Sequence, residues 1–478
     1  MHCDVLIVGA GSAGSVLAER LSADPACQVT VVEAGPEPSD PRVLTEITDG
    51  LRLPIGPASS VVRRYPATLT SRPARYVQLM RGAVVGGSGA VNGGYFCRGL
   101  PSDFDGWELP GWAWSDVLPH FRAIETDLDF ADSLHGVDGP ILVRRVAEFD
   151  GCTASFVGAA RDAGHPWIDD MNGSTADAPL GPGVAAVPLN IHAGTRVGPG
   201  GAFLQPAMDR PNLTVQSNTF VTRLRIAGGR AVGLECVGPP GQFELRGDRI
   251  VLCGGAIGSA WLLMRSGVGP HDVLKAADVP VVADLPVGRA SADHPEWVLP
   301  VDWTETHGLP PLEAVLTTEE PVEIRPYTAG FGAMMSGSRD DPADHPHIGV
   351  TLMQPKARGR VSIVSADPDT LPVIEHRYDS EPDDVTALAA GMDVAREIIG
   401  DTRHLGPVSW STSQHLCGTA PMGVDGDETA VVDPQCRVRG VDGLWVVDGS
   451  VLPVIPSRGP HATIVMLGHR AAGFVVGA

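Results

Sequence analysis

The residues best suited to move a proton are two histidines in the last quarter of the sequence. His415 comes directly before the glycine-bearing stretch CGTAPMG, and His461 follows Arg458, Gly459 and Pro460. An imidazole has an unperturbed pKa of about 6.5, so near neutral pH it can accept and return a proton. Both residues are predicted to lie on loops, His461 at the start of the final helix. A structural role for His461, as a helix cap or turn anchor, stays open.

A dinucleotide-binding pattern begins the chain. The apolar run DVLIV, residues 4–8, predicts a buried parallel strand that leads directly into GAGSAG, residues 9–14. In such a loop Gly9 permits the tight turn and Gly11 lets backbone N–H groups approach a pyrophosphate. Gly14 lets the following helix pack closely on the strand.

A helix, a second strand and an acidic residue complete this pattern. The helix is predicted to begin near Ser12, so Ser12 and Ala13 belong to the phosphate site. The run QVTVVEAG then predicts a strand that places Glu33, with Ala34 beside it, about 20 residues beyond the glycines. A carboxylate there accepts from ribose hydroxyls and repels a 2′-phosphate, so the site predicts FAD or NAD rather than NADP.

A second glycine-rich segment, RGAVVGGSGAVNGGYFCRG, spans residues 81–99. By itself it indicates either a plain loop or backbone that passes close to a ligand. The segment resembles the first signature of the glucose-methanol-choline (GMC) family of flavoenzymes. The resemblance rests on Arg81, Gly86, Gly87, Ser88, Asn92, Arg98 and Gly99.

Further segments follow the order of this family along nearly the whole chain. Residues 255–269 are similar to its second signature, with an alanine where proline is usual. Residues 286–295 resemble its PVG…DH segment, and residues 355–378 resemble a strand region of its substrate domain. QHLCGTAPMG, residues 414–423, and LWVVDGSVLP, residues 444–453, resemble its catalytic and flavin-binding blocks.

The resemblance implies an FAD cofactor. Val91 stands where some members attach FAD covalently through a histidine, so a non-covalent flavin is expected. Asp448 could instead cap the turn that follows it, and the strand-like run 212–226, which includes the adenine position, also fits a plain half-buried strand. The contacts implied by the family are to the flavin ring from Arg81, Gly86, Gly87, Ser88, Asn92, Gly93 and His461, to adenine from Val221, and to the ribityl chain or pyrophosphate from Asp448 and Gly449.

The resemblance also implies what the two histidines do. His415 matches the family's catalytic histidine and His461 matches its partner, so the expected reaction is oxidation of an alcohol. Flavin accepts only the hydride, and the protein must therefore supply a base for the hydroxyl proton. Because that proton is held tightly, the base works only if the developing alkoxide is stabilised, and His461 can donate the required hydrogen bond in a dry site.

Alternating strands, helices and glycine loops predict an α/β fold. We expect a Rossmann-like FAD-binding domain built from the discontinuous segments 1–145, 190–285 and 430–478. A substrate-binding domain of mixed β-sheet and helices is expected from segments 146–189 and 286–429. Its last long helix should turn one face to the core, formed by Val385, Leu388, Ala389, Met392 and Ala395.

Composition excludes several classes of partner. The chain has 478 residues, with 35 Lys and Arg against 57 Asp and Glu, and its net charge of -22 opposes binding to nucleic acid or anionic lipid. The eight cysteines have no metal-ligand spacing, so buried free thiols and no metal are expected. With no signal peptide and no apolar run long enough to span a bilayer, a cytoplasmic protein without a transmembrane segment is expected.

The substrate is less well defined. Residues 296–345, part of the substrate cover, look shorter than in most relatives, which predicts an open pocket. As a short form of the family with His415 and His461, the chain resembles the dehydrogenase associated with mycofactocin. Mycofactocin is a peptide-derived redox cofactor whose reduced form carries a secondary alcohol beside an amide carbonyl. Electrons would then pass to an unidentified respiratory acceptor. Alternatives are a choline-like or small-alcohol dehydrogenase or oxidase, a hydroxynitrile-lyase-type enzyme, a non-catalytic flavin module and, from the first loop alone, an NAD-linked dehydrogenase.

Overall fold

A computed structural model describes residues 2–303, 308–336, 344–400 and 404–477. The expected substrate cover, 296–345, therefore lies partly outside the described residues. The strands in these ranges are β1 His2–Val8, β2 Val29–Val32, β3 Val62–Ser71, β4 Ala74–Gly82, β5 Glu125–Asp127, β6 Ile141–Val143, β7 Trp167–Ile168, β8 Gly183–Ala186, β9 Ile191–His192, β10 Thr195–Arg196, β11 Leu213–Gln216, β12 Phe220–Ala227, β13 Arg230–Gly238, β14 Gly241–Leu252, β15 Val268–Gly269, β16 Ala283–Asp284, β17 Pro295–Pro300, β18 Ala314–Thr317, β19 Val322–Pro326, β20 His347–Leu352, β21 Arg360–Ser362, β22 Val373–Glu375, β23 Ser409–Thr412 and β24 Leu444–Val446.

The helices complete the inventory of the described residues. Short 3-10 turns span Gly87–Ala90 and Gly449–Val451, and a π-helical turn spans Gly200–Leu204. The α-helices are α1 Ser12–Ser22, α2 Pro41–Thr48, α3 Pro101–Asp105, α4 Trp114–Ile124, α5 Gly151–Asp162, α6 Gln205–Ala207, α7 Gly255–Arg265, α8 His271–Ala276, α9 Phe331–Ser336, α10 Pro382–Ile399 and α11 His461–Val476.

A first sheet carries the predicted nucleotide loop. β1 pairs in parallel with β2 and β14, and β2 pairs in parallel with β11. The other edge of β14 pairs with the antiparallel strand β13 and, near its end, with the parallel strand β24. Residues 5–8 of β1 and all of β2 are buried, and α1 packs on both strands, so these segments are mainly apolar rather than alternating. The predicted α/β fold is confirmed, with its parallel strands drawn from distant parts of the chain.

One predicted strand run is divided in two. The run 212–226 contains β11, next to β2, and β12, which pairs antiparallel with β13. Between them Asn218 has a positive φ of 52°, a backbone conformation that ends a strand. Uniform β-forming composition on both sides conceals this turn, and the run therefore supplies two strands of one sheet.

A second sheet roofs one side of the molecule. Its order is β23-β17-β20-β19-β18-β8-β7, antiparallel except for the β7–β8 pair. Helices α5 and α10 pack on it and share an apolar core with its strands. Three of the predicted core residues of α10 are buried, Leu388, Met392 and Ala395, whereas Val385 and Ala389 are half-buried.

A third sheet joins segments that the sequence analysis assigns to different domains. The hairpin of β3 and β4 pairs through β3 with β22, which pairs with β21. The segment 355–378, expected in the substrate domain's strand region, therefore lies in this four-stranded sheet rather than in the seven-stranded one. The domain boundaries themselves stay a prediction.

Two further expectations concern cysteines and membranes. All eight cysteines are free thiols; Cys27 is half-buried and the other seven are buried. Among the residues that the structure describes, no helix combines the length and apolarity needed to cross a bilayer.

Candidate active site

A cavity of about 660 Å³ lies where the loops of the three sheets meet. Its wall takes residues from the loop after β1, from the glycine-rich segment after β4, and from the loops after β23 and β24. The predicted site residues on this wall are Gly9, Gly11, Ser12, Ala13, Glu33, Ala34, Arg81, Gly87, Ser88, Asn92, Gly93, Val221, His415, Asp448, Gly449 and His461.

Two predicted site residues, Gly14 and Gly86, do not line the cavity. A Cβ added to Gly14 would lie 2.0 Å from the Gly9 carbonyl oxygen, so Gly14 serves the close packing of α1 on its strand, as predicted. Gly86 was expected to contact flavin. Instead its N–H donates to the Ala10 carbonyl at 2.7 Å, with a positive φ of 96°, so its backbone ties the glycine-rich segment to the first loop.

The loop between β1 and α1 forms a cradle that excludes side chains. Gly9 has a φ of 100°, and an added Cβ would lie 2.6 Å from the Cys253 carbonyl oxygen. Helix α1 then begins at Ser12, so its first N–H groups and the positive end of its dipole are at the cavity wall. This arrangement fits a pyrophosphate.

Glu33 lies at the end of β2, as the dinucleotide pattern predicts. One carboxylate oxygen accepts from the Ala10 N–H and the other from the Gly35 N–H, both at 2.9 Å. Burial raises the pKa of this carboxyl group, and the backbone N–H groups act in the opposite direction. Each oxygen has a second lone pair, so the group can also accept from ribose hydroxyls.

Asp448 caps the turn that follows it, which was the alternative left open by the sequence. Its Oδ1 accepts from the N–H and hydroxyl of Ser450 at 2.8 and 2.6 Å. Its Oδ2 accepts from the Gly255 N–H and the Ser259 hydroxyl at 2.9 and 2.5 Å. The residue still lies on the wall, where it fixes the start of α7 against the loop after β24.

His415 is held by a strained turn after β23. The preceding residue, Gln414, has a positive φ of 63°, and its side-chain carbonyl accepts from the Arg81 guanidinium at 2.8 Å. The backbone N–H of His415 donates to Asp293 Oδ1 at 2.7 Å, and its Nδ1 lies 2.9 Å from Nδ1 of His294. Burial holds the pKa of His415 well below 6.5, so the imidazole is neutral at neutral pH.

His461 is the first residue of α11, and its tautomer follows from its neighbours. Asn92 Oδ1 accepts from the Gly94 N–H at 3.0 Å, which fixes the orientation of that amide. Asn92 Nδ2, a donor, lies 3.1 Å from Nδ1 of His461, so Nδ1 accepts and the ring proton is on Nε2. This Nε2 is buried and has no hydrogen-bond partner in the part of the chain that the structure describes. Burial lowers the pKa of His461 to about 4.

A buried polar network lies on and behind the same wall, and the sequence did not predict it. Tyr327 donates to Glu296 Oε1 at 2.8 Å, and Tyr95 donates to Glu323 Oε1 at 2.9 Å. Arg325 pairs with Glu323 at 2.8 Å and approaches Glu296 at 3.8 Å. These residues come from β17, β19 and a distant loop, so no local spacing marks them. Asp293 and His294 do carry a signal, because they are the DH of the PVG…DH segment.

The wall as a whole fits FAD. The glycine cradle and α1 suit the pyrophosphate, and Glu33 suits a ribose. At the other end the wall carries Arg81, Asn92 and His461, the positions expected to face the flavin ring.

Comparisons with known proteins agree along the whole chain. Residues 3–296 and 355–468 match two family models that are both described as GMC oxidoreductase. An uncharacterised GMC-type oxidoreductase of Rhodococcus erythropolis is 39% identical over 100% of this chain and 99% of its own length. An oxygen-dependent choline dehydrogenase of Brucella melitensis is 30% identical over 100% of this chain and 96% of its own. The crystal structure of pyridoxine 4-oxidase from Mesorbium loti superposes with a TM-score of 0.88 at 30% identity, covering 98% of each chain.

The cradle at Gly9 can be tested with an added methyl group. In Gly9→Ala the Cβ meets the Cys253 carbonyl and the backbone is strained, so we expect roughly tenfold or greater loss of FAD affinity, measured by titrating FAD into apoprotein. Gly158→Ala is the matched control, because an added Cβ on that exposed residue of α5 has open space around it. Unchanged affinity in Gly9→Ala would contradict the cradle.

The mode of flavin attachment can be tested by denaturation. Val91 offers no nucleophile, so acid precipitation should release all yellow colour into the supernatant. The measurement is the flavin absorbance of supernatant and pellet. Flavin that stays with the washed pellet would show that another residue forms a covalent link.

Proposed function

Because this chain belongs to the GMC oxidoreductase family, we propose that it is an FAD-dependent dehydrogenase in which His415 is the base and reduced mycofactocin is the alcohol. As a family member it is an oxidoreductase that acts on alcohol-type donors, with FAD as cofactor. The observation that carries the assignment of the base is the neutral imidazole of His415 on the cavity wall, which a second imidazole, His461, also lines.

The proposed division of labour follows from the two histidines being neutral on the cavity wall. Bound FAD supplies a hydride acceptor at N5. His415 takes the hydroxyl proton, and it can do so because burial keeps its imidazole unprotonated at neutral pH. His461 lines the same cavity and is the proposed hydrogen-bond donor to the oxygen as negative charge develops there. An alkoxide is more basic than imidazole by many pKa units, so the transfer needs this second hydrogen bond.

The character of the remaining wall supports an uncharged organic substrate. Leu53, Pro311, Leu312, Phe331 and Met335 contribute apolar surface. The charged groups beside them are paired: Glu323 with Arg325, and Glu296 with the Tyr327 hydroxyl. Reduced mycofactocin, a secondary alcohol beside an amide carbonyl, suits such a surface, and its bulk suits a shortened substrate cover.

A choline-like substrate is the second candidate, and Glu296 favours it. This carboxylate lies on the cavity wall, where it could attract a quaternary ammonium group. Arg325 opposes that attraction, because its guanidinium lies 3.8 Å from the Glu296 carboxylate and also lines the cavity. If the negative charge of Glu296 dominates in the cavity, a cationic substrate such as choline is favoured. If the positive charge of Arg325 offsets it, an uncharged alcohol is favoured.

Removing the proposed base should slow the reduction of the flavin by substrate and leave flavin binding unchanged. For His415→Ala we expect a fall of about 10²- to 10⁴-fold in the rate of anaerobic flavin reduction by substrate, measured by stopped-flow absorbance. His461→Asn should be affected less, because the amide keeps a donor. His469→Ala, outside the cavity, is the control. Near-normal reduction in flavin-loaded His415→Ala would exclude this histidine as the base.

The substrate proposal is tested by a panel. Purified yellow protein is mixed anaerobically with reduced mycofactocin, choline, pyridoxine and short primary alcohols. We expect bleaching by reduced mycofactocin, and little hydrogen peroxide when oxygen is then admitted, because electrons are proposed to leave through another acceptor. Bleaching only by choline or a simple alcohol would show that this compound, and not reduced mycofactocin, is the substrate. No bleaching by any alcohol would favour a lyase-type reaction.

A further inference from the structure

His294 makes an unusual contact with the proposed base. It lies just before β17, its side chain is fully buried, and its Nδ1 is 2.9 Å from Nδ1 of His415. The two rings are perpendicular, with centroids 5.1 Å apart. At this distance one of the two Nδ1 atoms must carry a hydrogen and the other a lone pair. Two N–H groups would repel each other, and two lone pairs would form no bond.

The role proposed for His415 decides which ring carries that hydrogen. The other nitrogen of His294, Nε2, is buried without a hydrogen-bond partner among the described residues. His415 lines the cavity, and Nε2 is its ring nitrogen that does not face His294. A base that accepts the reactant proton on Nε2 must carry its own hydrogen on Nδ1, so the hydrogen between the rings belongs to His415. With its proton on Nε2, His294 has a lone pair on Nδ1 and accepts there.

We infer that His294 is a positioning residue that holds His415 in the tautomer with hydrogen on Nδ1, leaving the Nε2 lone pair free for the reactant hydroxyl. Nε2 of His415 has no hydrogen-bond partner among the described residues, and the residue lines the cavity. Once His415 takes a proton, the lone pair of His294 also stabilises the resulting imidazolium, as the third member of a catalytic triad does.

Asp293 fixes the geometry on which this contact depends. Its Oδ1 accepts from the backbone N–H groups of His294 at 2.9 Å and His415 at 2.7 Å. Its Oδ2 accepts from the hydroxyls of Tyr378 and Thr412, both at 2.7 Å. One carboxylate thus sets the relative position of the two histidine backbones, and the rings meet without any direct bond from Asp293 to either.

Both rings stay neutral in spite of nearby charges. Burial lowers the pKa of His294 to about 4, Arg325 acts in the same direction, and Asp293 and Glu323 oppose it. For His415 burial again dominates, and its pKa is lowered further by Arg325 and Arg81 and by repulsion from the protonated forms of His294 and His461. His376, 3.5 Å from Asp293, is also kept neutral by burial. At neutral pH both rings are therefore uncharged, and one hydrogen lies between the two Nδ1 atoms.

The inference deepens the proposed function and rests on His415 being the base, so the experiment reads the tautomer without any substrate. Holoprotein labelled with [15N]histidine is examined at neutral pH by long-range 1H–15N correlation, which separates rings protonated at Nδ1 from rings protonated at Nε2. The His415 signals are assigned by their absence in His415→Asn. We expect a neutral His415 with hydrogen on Nδ1.

Two variants test whether His294 is responsible. In His294→Ala the single-tautomer pattern of His415 should be lost, because the acceptor is gone. In His294→Asn the side-chain carbonyl can accept, so the pattern should return at least in part. His469→Asn is the matched control: it breaks a second imidazole pair, with His120 at 2.8 Å, outside the cavity and should leave His415 unchanged.

The outcomes separate this inference from the substrate assignment. Wild-type protein with hydrogen on His415 Nε2, or an unchanged pattern in folded, flavin-loaded His294→Ala, would overturn the role of His294. If that variant does not fold, the wild-type and His294→Asn spectra still decide. Failure of reduced mycofactocin to bleach the flavin alters neither reading, since the spectra need no substrate.

Discussion

The geometry of the catalytic region depends on the hydrogen bonds that the carboxylate of Asp293 accepts. Asp293 is 4% exposed and accepts four hydrogen bonds of 2.9 Å or less, from two backbone N–H groups and two hydroxyls. Its partners lie just before β17, at the end of β23 and just after β22. These elements belong to two sheets, so one buried charge joins the roof of the cavity to the hairpin sheet at its side. A buried carboxylate is tolerated only when its lone pairs are satisfied, and here they are.

The sequence predicted the nucleotide half of the site well because its signals are local. The loop between β1 and α1 and Glu33 at the end of β2 lie where motif spacing indicates, and both line the cavity. His415 and His461, which the resemblance to the family indicated, line it too. Backbone geometry in these motifs is decided by glycines and strand ends within a few residues. Such features can be recognised before any tertiary contact is known.

Other features could not be recognised because they depend on contacts between distant segments. Glu296 and Arg325 are 29 positions apart and meet only through pairing of β17, β20 and β19. The position of Gly86 in the glycine-rich segment predicts a ligand contact, yet its N–H donates to the Ala10 carbonyl. The turn at Asn218 is hidden inside a run of β-forming residues. In each case a partner elsewhere in the chain, rather than the local pattern, decides the role.

The place of β24 has a consequence for how the protein is assembled. Residues 444–446 lie in register beside 250–252, and α11 then packs against α1 from the other end of the chain. On a ribosome the glycine cradle would thus emerge hundreds of residues before the helix that brings His461 to its wall. Contacts of such long sequence separation form slowly, because chain entropy is lost first. Cofactor insertion should therefore be a late step of folding, completed after synthesis rather than during it.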